Sequence, residues 1–335
     1  MQKLKFAKFI FLLAGVFLLF IVLRNINIDE IIIWIEKLGL TGLFIILSIY
    51  AAAFLCDTVS WQLTFRSLPA TPSWLYRLFL VRLIGEAFNN ILPSFSVGGE
   101  PVKAVILKSS YQVGYSESGA SLLIARTVNM LSLVLFLAVG FLLLISSPSF
   151  PQVYRLTAGA GLALIALGTL LFFLVQRYQV TTMAGTWLSR TRTGGRVEKV
   201  LHVIREMDGH LLEFYSRNHR RFGIALGLAL CNWLLGVVEI YVVMRLLGYP
   251  LEFSDCWFIE AMAQLVRTGT FFIPGSIGAQ EGIFMLMGNL IAGNPTLGVA
   301  IAVVRRIREI IWIVTGLIIL GAWFPGVQLR HSRPD

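Results

Sequence analysis

Charged residues are scarce in this sequence. Only 14% of its 335 residues are Asp, Glu, Lys or Arg, while 57% are hydrophobic. Soluble domains are usually about half apolar and about one quarter charged, so this composition excludes a soluble domain and indicates an integral membrane protein. The formal net charge of +10 is attributed to basic cytoplasmic loops, and no nucleic-acid partner is expected.

Residues and motifs for metal, redox or nucleotide chemistry are also few. The three cysteines, Cys56, Cys231 and Cys256, lie far apart, and the four histidines never stand three or four residues apart. No phosphate-binding loop or dinucleotide fingerprint is present. The sequence therefore predicts no metal, no cofactor, no catalytic residues and no enzymatic activity.

Apolar runs long enough to cross a bilayer, which takes about 20 residues, occur six times. The first follows Lys3, Lys5 and Lys8 without a small-residue cleavage pattern, which predicts an uncleaved anchor. We expect both termini in the cytoplasm and the protein in the bacterial inner (cytoplasmic) membrane. The predicted spans lie near 7–23, 39–57, 119–146, 154–176, 222–247 and 299–323.

Two further apolar stretches, 78–97 and 257–291, are interrupted by proline and glycine. They read GEAFNNILPSFSVGGEPVKA around Pro93 and RTGTFFIPGSIGAQEG around Pro274, and in each a Glu follows the Pro by seven residues. Lipid cannot satisfy the backbone groups that a broken helix frees, so such breaks are shielded by protein or face a water-filled cavity. Basic residues flank only the first stretch, which predicts two re-entrant hairpins entering from opposite sides.

The predicted fold is an all-α polytopic membrane protein, with six full spans and two re-entrant helical hairpins in an inverted repeat. One membrane domain, 1–335, contains repeat 1 at about 7–146 and repeat 2 at about 154–323. Inverted repeats of this kind place two half-sites near the bilayer midplane. The hydrophilic segment 177–221 is predicted to be a basic cytoplasmic connector with an amphipathic helix, which either lies against anionic lipid or only fixes the topology.

Ionisable residues deep in a bilayer cost about 2.5–3.5 kcal/mol each, so those in the apolar segments are functional candidates. Arginine outnumbers glutamate among them, and a guanidinium surplus would attract an anionic headgroup. Ion pairing within the protein is the alternative for any of these residues. Glu100 and Glu281 are expected either to carry protons or to be permanent partners of arginine.

Uncharged candidates lie beside the two breaks. Asn89 and Asn90 offer amide contacts or cap the broken helix, and the glycines allow close approach to a ligand or simply form tight turns. The predicted headgroup-binding residues are Arg82, Asn89, Asn90, Gly98, Gly99, Glu100, Arg126, Arg267, Gly275, Gly278, Glu281, Arg305, Arg306 and Arg308.

Three stretches, RLIGEAFNNILPSFSVGGEPVKAVILK (82–108), IARTVN (124–129) and FFIPGSIGAQEGIF (271–284), resemble the flippase-like membrane domain of lysylphosphatidylglycerol synthases. They are most similar to its stand-alone, hopanoid-biosynthesis-associated branch. The resemblance covers about residues 5–325 and implies paired re-entrant hairpins and the handling of polar lipids. Because the sequence ends at Asp335 without an aminoacyl-transferase domain, we do not expect it to aminoacylate lipid.

The leading hypothesis is a lipid translocase that moves or presents a polar, anionic headgroup between leaflets. Its expected partners are a phospholipid, hopanoid or polyprenyl-type lipid, with lipid-biosynthesis enzymes as further partners. The alternatives are an intramembrane lipid-modifying enzyme and an accessory or scaffold subunit of a lipid-biosynthesis complex.

Overall fold

A computed structural model describes residues 28–91, 98–146, 152–178 and 195–324. Within these ranges all regular structure is helical. Ten α-helices are present, with a single 3₁₀ turn at Pro274–Ser276 between α8 and α9. The helices are α1 (Ile28–Gln62), α2 (Pro72–Ile91), α3 (Gly99–Tyr111), α4 (Tyr115–Ser146), α5 (Gln152–Arg177), α6 (Gly195–Arg217), α7 (His219–Leu247), α8 (Phe253–Gly269), α9 (Ala279–Ala292) and α10 (Pro295–Trp323).

Four of these helices are long and apolar enough to cross a membrane. They are Glu36–Gln62 within α1, and the whole of α4, α5 and α7, which confirms the predicted spans at 39–57, 119–146, 154–176 and 222–247 as helices of the required length. The prediction at 7–23 lies outside the described residues. Helix α10 has 29 residues, but it carries four charges and so falls outside the apolar set.

The second interrupted stretch folds back on itself. Helix α8 ends at Gly269, the 3₁₀ turn follows, and α9 begins at Ala279 and packs against α8. Three residues in or just after the turn have positive φ: Gly275, Ser276 and Gly278. Glycine adopts this conformation without steric cost, which explains the glycines at 275 and 278. We call α8, the turn and α9 hairpin 2.

Two packed helices, α2 and α3, also stand on either side of the first break, and we call them hairpin 1. Pro93 itself lies outside the described residues. The helices approach closely at Gly85 and Gly99, where a Cβ added to Gly99 would overlap the Gly85 carbonyl. The backbone N–H of Gly99 donates to Oδ1 of Asn89 at 2.7 Å, so Asn89 caps the start of α3 across the break.

The packing of the chain's first part corresponds to that of its second. Helices α1 and α7 pack along each other at the centre. Helix α2 of hairpin 1 packs on α10, and helix α8 of hairpin 2 packs on α4. Helix α1 also contacts α10, and in the same way α7 contacts α4. Each of α1 to α4 thus has a counterpart among α7 to α10 in the same chain order.

Helix α6 forms where the amphipathic pattern predicts a helix. Its residues Leu211 and Phe214 are buried against Ile124 and Val128 of α4 and Ala225 of α7. This part of its apolar face therefore packs on protein. Helix α5, in contrast, leaves most of its apolar side chains exposed, including Leu156, Leu164, Leu167, Leu170 and Leu171, as expected for a helix facing lipid.

Candidate functional site

Arg306 of α10 holds the turn of hairpin 2. Its Nε donates to Oε1 of Glu281 at 2.6 Å, its Nη1 to Oε2 of Glu309 at 2.8 Å, and its Nη2 to the Gly275 carbonyl at 2.9 Å. The other Glu281 oxygen accepts from the backbone N–H of Gly278 at 2.7 Å. Glu281 therefore caps its own helix. The Arg306 guanidinium connects α10 both to the turn and to the start of α9.

The other two α10 arginines are buried in ion pairs. Arg305 pairs with Glu260 of α8 and lies 3.8 Å from Glu239 of α7, and Arg308 pairs with Glu239. Glu260 also accepts from Nε2 of Gln264 at 2.7 Å. The Arg305 and Glu260 side chains are only 4% and 2% exposed. A buried pair of this kind is costly to break from either side, so Arg305 and Arg308 are engaged in joining α7, α8 and α10.

Hairpin 1 carries its own polar groups. Arg82 pairs with Asp57 of α1 and lies over the Phe54 ring, and Lys103 pairs with Glu100 at 3.0 Å. Asn90 donates to the Glu86 side chain at 3.3 Å. Gly98 and the buried Gly99 stand at the start of α3. The side chains of Arg82, Asn90 and Glu100 are therefore engaged by residues outside the predicted set, and Asn89 bonds to Gly99 within it.

The two hairpins meet around Tyr50 of α1. The guanidinium carbon of Arg308 lies 3.8 Å from the centre of the Tyr50 ring. Glu86 of hairpin 1, Arg267 of hairpin 2 and Glu309 of α10 are all close enough to act electrostatically on the tyrosine hydroxyl. Helix α2 also contacts the 3₁₀ turn directly. Polar groups from both halves of the chain thus converge at one place inside the helical bundle.

Arg267 differs from the α10 arginines. It is only partly buried, and it forms no ion pair or hydrogen bond with any residue in the described ranges. Its charge nevertheless acts on Glu86 as well as on Tyr50. Among the predicted arginines of the interrupted stretches and α10, Arg267 is the one without an ion pair in the described residues.

Arg126 is exposed and is likewise without an ion pair or hydrogen bond in the part of the chain that the structure describes. Its neighbour Thr127 donates to Gln176 at 3.0 Å, in the last turn of α5. The 20 residues from Arg126 to the end of α4 rise about 30 Å, which is the thickness of a hydrocarbon core. A bilayer core that ended with α4 would thus place Arg126 near its opposite boundary.

The structure adds charged residues that the predicted headgroup-binding set left out: Asp57, Glu86, Glu239, Glu260, Glu309 and, as a partner of Glu100, Lys103. Among the residues of the two hairpins and α10, together with their ion-pair partners, seven carboxylates stand beside six cations. The carboxylates are Asp57, Glu86, Glu100, Glu239, Glu260, Glu281 and Glu309, and the cations are Arg82, Lys103, Arg267, Arg305, Arg306 and Arg308. The guanidinium surplus expected from the sequence is absent from this set.

Asp57 and Glu260 could have been found from the sequence, because each is an acidic residue within an apolar run and such residues are candidates by default. Tyr50 and Glu86 gave weaker signals. An aromatic residue in an apolar helix is ordinarily part of a packed core, and Glu86 stands near the polar Asn89 and Asn90. Tyr50 and Glu86 are recognised as parts of one site only from the packing of α1, α2, α8 and α10.

These features define a helical membrane protein with an ion-paired polar interior where two hairpins meet. The chain belongs to the family described as the lysylphosphatidylglycerol synthase TM region, which matches residues 6–318. The family expected from the sequence motifs is thus confirmed, and it indicates a lipid-related membrane protein. The hopanoid-associated branch stays a prediction.

The chain is similar over most of its length to two proteins named as UPF0104 membrane proteins. A UPF0104 membrane protein of Methanothermobacter thermautotrophicus is 24% identical over 306 residues, which cover 87% of this chain and 86% of that protein. A UPF0104 membrane protein of Pyrococcus horikoshii is 23% identical over 340 residues, covering 93% and 96%. No solved structure matches the chain.

Proposed function

We propose that this protein is a lipid translocase that moves or presents an anionic lipid headgroup between membrane leaflets. The observation that carries the proposal is Arg267, a partly buried guanidinium without an ion pair in the described residues, at the junction of two interrupted helical hairpins. A guanidinium can donate two parallel hydrogen bonds to a phosphate. Membership of a lipid-related family supports the same reading.

In the proposed arrangement the hairpins re-enter the inner membrane from opposite sides, and both termini are cytoplasmic. The corresponding contacts of α1 to α4 and α7 to α10 support an inverted repeat, in which binding sites form at the repeat interface and access alternates. The headgroup would pass between the hairpins while its acyl tails remain in the bilayer. The free-energy cost of the movement is then the desolvation of the headgroup, and Arg267 offsets this cost by supplying an opposite charge.

In this proposal Arg305, Arg306 and Arg308 have a structural role, whereas the sequence predicts that they bind the headgroup. Their charges are paired with Glu239, Glu260, Glu281 and Glu309, so they hold α7 to α10 together and position hairpin 2. Glu86 and Tyr50 line the same junction as Arg267 and would contact the polar part of the headgroup next to the phosphate.

The test is inter-leaflet exchange in vesicles that contain the purified protein. Phospholipids with a fluorescent acyl chain are placed in both leaflets, and a membrane-impermeant reductant bleaches those that reach the outer leaflet. We expect faster bleaching of the inner pool for phosphatidylglycerol than for phosphatidylcholine. Equal rates with and without protein, for every headgroup tested, would contradict the proposal.

The same vesicles distinguish transport from lipid modification. A translocase changes which leaflet a lipid occupies and leaves its mass unchanged. An intramembrane enzyme produces a lipid of altered mass, and does so equally well in detergent, where there are no leaflets. Mass spectrometry of the lipids recovered from both preparations therefore separates the two functions.

A further inference from the structure

Tryptophan and tyrosine side chains collect at the end of hairpin 1 that lies away from its break. Trp74 and Tyr76 are near the start of α2, and Tyr111 is the last residue of α3. The ring centres of Trp74 and Tyr111 are 5.8 Å apart. The Tyr76 ring lies 6.1 Å from that of Trp323, which ends α10, and these two residues are 51% and 61% exposed. Exposed tyrosine and tryptophan at helix ends are typical of the membrane–water interface, so this end of the bundle is expected at the level of the lipid headgroups.

Arg77 of α2 contacts two of these rings. Its guanidinium carbon is 4.9 Å from the centre of the Trp74 ring and 5.4 Å from that of the Tyr111 ring. A cation at such distances is attracted to the face of an aromatic ring. Arg77 is exposed, and it forms no ion pair or hydrogen bond with any described residue. The rings therefore fix the position of the guanidinium, while no acceptor in the described part of the chain takes up its N–H donors.

A second exposed cation stands at the same end of hairpin 1. Lys108 is in the last turn of α3, three residues before Tyr111, and residues at this spacing are neighbours on a helix surface. Like Arg77, Lys108 has no ion pair or hydrogen bond within the ranges that the structure describes. Each helix of the hairpin thus contributes one such cation beside the aromatic rings.

Other exposed arginines lack this combination of features. Arg66, in the loop before α2, pairs with Glu213 at 3.1 Å. Arg245 lies over a single ring, that of Tyr241, in the last turn of α7. Within the described ranges, Arg77 is the arginine that contacts two aromatic rings and has no carboxylate partner. The rings, and not the charge alone, therefore distinguish this position.

We propose that Arg77 and Lys108, together with the rings of Trp74 and Tyr111, form a surface site for the phosphate of an anionic phospholipid. A guanidinium stays charged and can donate two parallel hydrogen bonds to a phosphate. The rings are expected at the depth of the headgroups, so the acyl chains of the bound lipid remain in the bilayer. Basic residues beside the first break predict that this end faces the cytoplasm, where anionic lipids attract basic residues near the membrane surface.

The surface site is distinct from the junction of the hairpins. Glu86, the α2 residue at that junction, comes nine residues after Arg77, which is about 14 Å along the helix axis. A lipid bound at Arg77 holds the two helix ends of hairpin 1 at the membrane surface and does not occupy Arg267. Binding there does not require that the protein move lipid between leaflets.

The fluorescence of Trp323 measures which lipid occupies this end of the bundle. The full-length protein is reconstituted in phosphatidylcholine vesicles that contain a minor fraction of brominated phosphatidylglycerol, or the same fraction of brominated phosphatidylcholine, because bromine quenches tryptophan at contact. In the wild type and in each variant, the Trp323 signal is the part of the fluorescence that Trp323→Phe removes. We expect stronger quenching by brominated phosphatidylglycerol, and equal quenching by the two lipids would overturn the proposal.

Arg77→Gln should lower this preference for phosphatidylglycerol by about fivefold or more, the factor that corresponds to about 1 kcal/mol for a basic residue at an anionic surface. Lys108→Gln should also lower it, and this variant leaves the ring contacts of Arg77 in place. Arg220→Gln is the charge-matched control and should retain the preference, because Arg220 is exposed on α7 and contacts no aromatic ring or carboxylate in the described ranges. A preference that survives Arg77→Gln, or Lys108→Gln if the first variant does not fold, contradicts the site.

Arg77→Lys separates a built phosphate site from simple attraction of charge. Lysine keeps the positive charge but lacks the planar group with two parallel donors, so it should recover only part of the preference, and full recovery would refute the site. Excess inorganic phosphate should displace no more lipid than sodium chloride at the same ionic strength. Displacement by phosphate alone would identify a soluble anion as the ligand and would rule out the lipid.

Discussion

Breaking the buried pair of Arg305 and Glu260 should destabilise the protein strongly, whereas replacing both partners should not. Arg305→Met leaves Glu260 without a cation and removes the weaker contact to Glu239. Removing one member of a buried ion pair costs about 3–5 kcal/mol. We therefore expect Arg305→Met to lower the free energy of unfolding by an amount in that range.

The double variant Arg305→Met with Glu260→Gln removes both charges of the pair. The glutamine retains an oxygen that can accept from Gln264, and Glu239 remains paired with Arg308. Replacing a whole buried pair with neutral residues is often neutral or stabilising. We expect the double variant to recover most of the stability lost in Arg305→Met.

The assay is equilibrium unfolding in mixed micelles, with the single and double variants measured as a thermodynamic cycle. A coupling energy of about 2 kcal/mol or more is expected between the two positions, as for residues in one ion-pair network. The reasoning is refuted if Arg305→Met unfolds like the wild type, or if the double variant is no more stable than that single variant.

Three further predictions concern other parts of the bundle. Gly298→Val should destabilise the contact of α10 with α9, because its Cβ would overlap a backbone carbonyl, whereas Gly321→Ala on the same helix meets nothing within 4 Å and should unfold like the wild type. Arg306→Gln should speed amide hydrogen exchange in the 3₁₀ turn, whose carbonyl it holds, and unchanged exchange would contradict this role. Arg82→Gln should lower the unfolding temperature more than Arg66→Gln, since the pair of Arg82 is mostly buried and that of Arg66 is exposed and worth about 0–1 kcal/mol.

The sequence predicts the helical elements well because their signals are local. The runs near 39–57 and 222–247 are apolar over the length of a membrane span, and Pro274 with its glycines stops one helix and starts another. Asn89 as a cap across the break and Glu281 at the start of α9 also follow from local rules, since both satisfy free backbone N–H groups at a helix start.

The partners of the charged residues could not be predicted in the same way. Arg308 pairs with a glutamate 69 residues away, and Arg305 with one 45 residues away. Their pairing depends on which helix faces come together, and no spacing in the sequence specifies this. The predicted surplus of positive charge was counted without Asp57, Glu86 and Glu260, and the tertiary contacts bring these three carboxylates beside the arginines.

The most direct test of the central claim is the rate of phosphatidylglycerol exchange by Arg267→Gln beside the wild type. Hydrogen bonds to a charged group contribute about 1.5–3 kcal/mol, so we expect exchange at limiting lipid to fall roughly 10- to 140-fold. The unfolding temperature should stay the same, because Arg267 has no ion pair to lose within the described residues. Unchanged exchange in a folded Arg267→Gln protein would contradict the account.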